Sequence, residues 1–386
     1  MSLRCLFIVQ GEGRGHLTQA LSLRRLLADA GHRVAEVIVG KSRSRAVPPF
    51  FPAAFDGPVR FVDSPSFVPD GDDRSVRLWK TCAHELGRTP TFLRSLADID
   101  AAVERHDPDV IVNFFEPLAG IYALRYRPSV PIVAVGHQYM FHHPAYEFPA
   151  GQPFQRWAAK AFAAVTAWGA TRCLALSLYP VPDRPDDGLV VLPPLLRQAL
   201  FQQPTHRTAP FFLVYILNSG YAEEVVQWHE RNPDVRLHCF WDRPDAAPVE
   251  HYDDTLTFHQ LDDEKFLSLM ARSRGVVSTA GFESVAEAMY LGKPVQVVPV
   301  EGHFEQLCNA HDTVRAGAGV RSRRFDIDRL QAFRSQHSPD ASTFRQWVRG
   351  ARTRFVREIE AAAERRTAPS PVSPPEEAAL EPVRPR

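Results

Sequence analysis

Cysteine is scarce and scattered in this chain: Cys5, Cys82, Cys173, Cys239 and Cys308 in 386 residues, no two at CxxC spacing. That excludes a disulfide framework and a structural zinc site as organising devices, and an odd, dispersed set fits a reducing compartment. Lysine is equally rare, at Lys41, Lys80, Lys160, Lys265 and Lys293, so arginine carries most of the positive charge. Neither sign is in excess, 45 Lys+Arg against 45 Asp+Glu, which excludes a global field for holding nucleic acid. No apolar run reaches the roughly 18 residues of a membrane span. The run at 5–9, behind the single Arg4, is too short for a secretion signal. A cytoplasmic location is expected.

What is present is a globular composition, 45% hydrophobic and 23% charged, on a chain long enough for two domains at about 150 residues each. An apolar strand at 4–9 runs into Gly11-Glu12-Gly13-Arg14-Gly15-His16. A helix over 17–30 follows, with Ala20, Leu23, Leu26 and Leu27 on one face and Gly31 as its stop. A second strand at 34–39 completes a βαβ unit, so a parallel sheet is the default. Strands at 59–62, 109–113, 132–135 and 173–176 continue the series up to a proline-containing connection at 188–197.

A second series opens at 211–217. Its strands fall at 235–241, 255–258, 275–278 and 295–299, its helices at 222–231, 263–272, 283–291 and 304–316, and a long helix spans 342–365. From residue 367 the Pro, Ala, Glu and Arg content reads as a disordered tail. The expectation is an α/β chain of two Rossmann-like domains across a cleft, 1–198 and 199–366, with the tail at 367–386.

Two segments carry chemistry. In the first, three glycines turn a buried strand sharply into a helix whose N-terminal amides suit an anion. The spacing is GxGxG rather than GxGxxG, and Glu36 sits inside the next strand rather than at its end, which counts against a dinucleotide site. His16 opens the helix where an open α/β sheet places its ligands; it either caps the turn or serves as a general base. The second segment runs Val277-Ser278-Thr279-Ala280-Gly281-Phe282-Glu283-Ser284-Val285-Ala286-Glu287-Ala288. Gly292-Lys293-Pro294, Val298-Pro299, His303-Phe304-Glu305-Gln306 and Asn309-Ala310 follow it. Gly281 allows close approach of a ligand, the helix start can hold a diphosphate without a metal, and Glu287 one turn on can bind a ribose diol.

This second segment resembles the nucleotide-sugar signature of GT-B glycosyltransferases, both the UDP-glycosyltransferases and the N-acetylglucosaminyltransferase of the peptidoglycan lipid precursor. Small turn, Ser, Glu-Ala, Gly-x-Pro, strand-end Pro, acid-Gln and Asn-Ala occur in the family order. The front half is similar as well: Gly13-Arg14-Gly15-His16 resembles the acceptor-domain loop with the catalytic histidine, and 131–138 resembles the acceptor-facing strand and turn ending in His137-Gln138. The resemblance spans about residues 3–360 and implies a GT-B fold. It also implies donor contacts from Gly15, Gly281 and Ser284 (diphosphate), Glu287 (ribose), and Glu305 and Gln306 (sugar). Asn218-Ser219-Gly220 would form a second diphosphate turn, and the backbone of 258–261, from Phe258 to Leu261, would read the base. Thr279 stands where the plant-type pattern has His, which implies either a weaker phosphate contact there or its replacement by His303. Phe282-Glu283 stands where that pattern has Trp-Asn.

The implied reaction is inverting and independent of metals or other cofactors, moving a sugar from a UDP-sugar co-substrate to a hydroxyl on a small-molecule or lipid-linked acceptor, such as a cell-envelope glycan precursor. His16 would be the base, with His137 as a second candidate. Glu116 either orients the base or serves as a helix-start carboxylate. The segment 41–55 pairs Lys41, Arg43 and Arg45 with Phe50, Phe51 and Phe55, which implies either a peripheral contact with the inner membrane face or a loop folded under the domain. A UDP-sugar 2-epimerase, a non-catalytic nucleotide-sugar-binding protein and an NAD-dependent oxidoreductase are the alternative readings.

Overall fold

The computed structural model describes residues 2–41, 47–48, 50–65, 89–205, 208–216, 219–243, 245–336 and 341–364. The tail expected at 367–386, Cys82 and Asn218 lie outside them. Within them the chain forms two seven-stranded sheets.

The first series is β1 (Arg4–Gln10), α1 (Gly15–Asp29), β2 (Arg33–Lys41), α2 (Phe50–Ala54), β3 (Val59–Asp63), α3 (Thr89–His106), β4 (Val110–Phe114), α4 (Pro117–Tyr126), β5 (Ile132–Gly136), a 3-10 turn (His137–His142), α5 (Pro153–Thr166), β6 (Ala170–Leu176) and β7 (Leu189–Leu192). Its strands lie in the order β3-β2-β1-β4-β5-β6-β7 and pair in parallel throughout. The order reverses beside β1, so the loops after β1 and β4 open onto the switch point where such sheets take ligands. The central strands are buried on both faces, which is why they read as unbroken apolar runs.

The second series is β8 (Phe211–Ile216), α6 (Ala222–Glu230), β9 (Arg236–Trp241), β10 (Val249–His251), β11 (Leu256–Gln260), α7 (Asp263–Arg272), β12 (Val276–Ser278), α8 (Phe282–Leu291), β13 (Val295–Val297), α9 (Phe304–Arg315), β14 (Gly319–Arg321), α10 (Asp328–Gln336), α11 (Ala341–Gly350) and α12 (Arg352–Glu364). The sheet order is β10-β11-β9-β8-β12-β13-β14, parallel except for the edge pair β10/β11. Here the switch point lies between β8 and β12.

One expectation needs correction. The single helix expected over 342–365 is two, Ala341–Gly350 and Arg352–Glu364, and the second returns to the first sheet. There Glu360 pairs with His32 at 3.0 Å, Glu358 lies 3.8 Å from Arg172, and Arg354 bonds Asp183. Of the two readings of segment 41–55, its phenylalanines follow the loop folded under the domain: Phe51 and Phe55 are buried in the core behind α1, and Phe50 packs under the Arg14 guanidinium, while Arg43 and Arg45 lie outside the described residues. Among the described residues no helix is long and apolar enough to cross a membrane.

Candidate active site between the sheets

The front half of the site is built by the loop after β1. Gly11 donates its amide to Gly40 O at 2.8 Å, and a Cβ there would lie 2.5 Å from that oxygen, so only glycine permits the turn. The loop delivers His16 into the first turn of α1, buried at 8% exposure. Its ring stacks 5.5 Å from Phe115 and 6.4 Å from His137. Nδ1 lies 3.1 Å from Gln19 Oε1, and Nε2 lies 3.3 Å from Gln138 Nε2. Gln19 in turn donates through Nε2 to Glu283 Oε1 at 2.7 Å, from the opposite domain.

With the Gln19 carbonyl on Nδ1, its NH2 group on Glu283 and the Gln138 NH2 group facing Nε2, the arrangement matches a proton on Nδ1 and a lone pair on Nε2. Burial, reinforced by the charge of His137, outweighs Glu305 and the Gln19 bond and lowers the His16 pKa to about 4. At neutral pH the ring is an uncharged base with Nε2 directed at Gln138.

Glu116 does not orient His16. It is the N-cap of α4: Oε1 accepts from Leu118 N at 3.1 Å and from Ser64 Oγ at 2.5 Å, and burial raises its pKa to about 8. Of the two sequence readings, the helix-start carboxylate is the one observed. The Nδ1 partner expected to be a carboxylate is the Gln19 amide, one helical turn along α1.

The back half is built by β12, the turn after it and two helix starts. Ala280 has φ +55°, a left-handed conformation uncommon for a residue with a Cβ. Asn309 Nδ2 holds it in place by donating to Ala280 O at 3.0 Å. Gly281 is then the N-cap of α8, and no side chain among the described residues caps that helix, so its first-turn amides and the positive end of its dipole are presented to the cleft. Ser284 turns its hydroxyl back, donating to Gly281 O at 3.0 Å and lying 3.2 Å from Ser278 Oγ. The hydroxyl is thus engaged within its own turn.

Glu287 is 1% exposed, and both its oxygens take the Arg197 guanidinium, at 2.5 and 2.9 Å. Arg197 lies in the connection between the sheets and also reaches Asp263, which Arg14 grips at 2.8 Å. The carboxylate expected to meet a ribose is thus already held in a four-residue ionic network spanning the cleft.

At α9, His303 is the N-cap, Nδ1 accepting from Gln306 N at 3.3 Å. Gln306 Oε1 accepts from Val300 N at 2.9 Å, bracing the loop before the helix. Glu305 lies 3.3 Å from His137 Nε2, and His137 stacks face to face on Phe282 at 4.4 Å. Burial opposes ionisation of Glu305, but the close approach of His137 and the charges of His303 and His16 outweigh it and hold the carboxyl down at about 2.

The remaining expected donor residues are peripheral to this cluster. Ser219 and exposed Gly220 follow β8 in a short 3-10 turn. The Phe258 ring is buried and stacked 4.3 Å from Trp241, and Leu261 packs against the core, so only their backbone is available to a base. Gln19, Glu283, Arg197 and Phe115 join the site without having been singled out as site residues. Gln19 carried a local signal in its i,i+3 position after His16, and Glu283 in standing where the family pattern has Asn.

Comparisons with known proteins agree on one answer. The sequence model described as glycosyl transferase family 1 matches residues 3–337. No curated protein matches. The chain is similar in fold to CalG4, the calicheamicin glycosyltransferase, at 18% identity and TM-score 0.64 over 96% of this chain and 100% of that one. It is also similar to LpCGTa in complex with UDP, at 14% identity and TM-score 0.60 over 96% and 100%. A third is the spinosyn rhamnosyltransferase SpnG complexed with thymidine diphosphate, at 15% identity and TM-score 0.54 over 94% and 98%. With two parallel sheets, a cleft lined by helix starts and a family match over most of its length, the chain belongs to glycosyl transferase family 1 and is a GT-B glycosyltransferase.

Proposed function

We propose that the protein transfers a sugar, with inversion and without a metal ion in the chemical step, from a UDP-sugar to a hydroxyl of a small-molecule acceptor. The observation that carries this reading is the link from His16 through Gln19 to Glu283, which sets the imidazole beside the first turn of α8, a helix start that no described side chain caps. In the reaction the acceptor hydroxyl takes the place of the Gln138 amide at Nε2. Its oxygen attacks the anomeric carbon as the bond from that carbon to the diphosphate breaks. The hydroxyl proton passes to Nε2, and the electron pair leaves on the diphosphate oxygen. The α8 and α9 helix starts face the growing negative charge with fixed amide dipoles, and the Nδ1–H bond to Gln19 steadies the imidazolium.

Gln138 and His137 serve on this reading to position the acceptor, and Glu305 and Gln306 the sugar hydroxyls. Thymidine diphosphate and UDP occupy two relatives, so the diphosphate is the shared element and the base is the point at issue. The test is a panel of UDP-, TDP- and GDP-sugars assayed with small-molecule and lipid-extract acceptors, with product configuration read by NMR. Turnover with a UDP-sugar, an inverted product and undiminished rate in EDTA are expected. A retained configuration, or exclusive use of another nucleotide, would overturn the corresponding part.

A further inference from the structure

Glu283 occupies a position where the family pattern has Asn, and the mechanism above makes no use of it. It sits in the first turn of α8, beside Gly15, where a Cβ would lie 3.6 Å from its Cγ. Oε1 accepts the 2.7 Å bond from Gln19, while Oε2 is sealed from solvent and has no partner among the described residues. Gln19 is itself 1% exposed. Its carbonyl faces His16 Nδ1 and its amide hydrogens face Glu283. The amide is a two-ended connector, and the group that meets its NH2 end in this orientation belongs to the donor domain.

We infer that Glu283 is a positioning residue for the base: through Gln19 it selects the Nδ1–H tautomer of His16, and only when the two domains are together. This rests on His16 being the base. Its consequence is that closure over the donor and competence of the base are one event. Without Glu283, the Gln19 amide can present either end to the imidazole. An NH2 group facing Nδ1 favours the tautomer whose proton lies on Nε2, where it cannot accept the acceptor's proton. The arrangement differs from a His–carboxylate pair within one domain because the carboxylate arrives from across the cleft.

The test uses the full-length protein labelled with ¹⁵N-histidine, His16 being assigned by its loss in His16→Asn. Long-range proton–nitrogen correlation reports the tautomer directly, whatever the turnover. Wild type is expected to show Nδ1–H. Glu283→Ala and Gln19→Leu are expected to show mixed tautomers and a kcat lowered at least tenfold, with KM for the donor within about twofold. The double variant should be no worse than the poorer single one. Glu283→Gln, which keeps a carbonyl oxygen for Gln19, should recover most of the loss. An unchanged His16 tautomer in Gln19→Leu, a KM effect in place of a kcat effect, or no recovery in Glu283→Gln would overturn the inference. If Glu283→Ala does not fold, Gln19→Leu carries the same test from the other end of the bond. Shifted tautomers with full turnover would sink instead the assignment of His16 as the base.

Discussion

His16 and Glu116 show how burial moves two ordinary side chains in opposite directions. Burial pulls the His16 pKa down to about 4, so the base stays uncharged well below its unperturbed value. The expected kcat/KM is level from neutral pH down to about pH 5 and falls only as pH approaches 4; a fall centred near 6.5 would show that His16 is not the titrating base. The same shift bears on stability. The unfolded chain binds this proton first, so the contribution of neutral His16 is complete above about 6.5 and lost as pH falls through 4. Glu116 runs the other way. Its pKa is raised to about 8, so its contribution is complete below the unfolded carboxylate value and lost as pH rises through 8. Glu116→Gln should therefore lose less melting temperature than wild type between pH 7 and pH 9. An equal loss in both proteins would argue against a protonated Glu116. The position of His16 after a strand and a glycine turn was legible in the sequence. Its Nδ1 partner was not, because a carboxylate was expected there and the group that meets Nδ1 is the amide of Gln19.

At the scale of elements, the turn between β12 and α8 decides how the donor site is presented. Asn309, far along α9, satisfies the carbonyl of Ala280 in its left-handed conformation. Asn309→Ala should cost about 1–3 kcal/mol by leaving a buried group unpaired, and weaken nucleotide-diphosphate binding with it. Calorimetry with UDP, read beside the melting temperature, separates the two; unaltered UDP affinity would show that the turn does not shape the site. The Ser, Glu-Ala and Asn-Ala pattern located this element by residue number: Ser284 lies in the first turn of α8, Glu287-Ala288 further along it and Asn309-Ala310 within α9. The Ser284 hydroxyl was expected to face a ligand and instead closes its own turn. Side-chain rotamers of this kind depend on the neighbour that packs nearest, here Ser278, and spacing alone does not encode that. The helix at 342–365 failed for a related reason: the apolar period continues through the break at Ala351, while the first half packs on α8 and the second on α1 and the first sheet.

At the scale of the molecule, the sheets are joined by charge as well as by chain. Arg14, Asp263, Arg197 and Glu287 form one network from the acceptor-side loop through the connection to α8. Arg197→Ala leaves Glu287 buried without its counter-charge, a loss of about 3 kcal/mol at the low end for a paired group with one partly exposed member. A melting temperature lowered by several degrees and a weakened donor affinity are expected; an unchanged melting temperature would mean that Glu287 finds another partner. Alternating strands and helices made two parallel-sheet domains legible in the sequence. The network was not, since Arg197 stands in a stretch whose only visible features were proline and leucine.

One measurement bears most directly on the whole account: sugar transfer and UDP binding by His16→Ala, measured side by side on the same preparation. Loss of a general base is worth roughly 10²–10⁴-fold in rate, so turnover should drop by that order while the UDP dissociation constant stays within about twofold of wild type. Near-wild-type transfer by this variant would contradict the account.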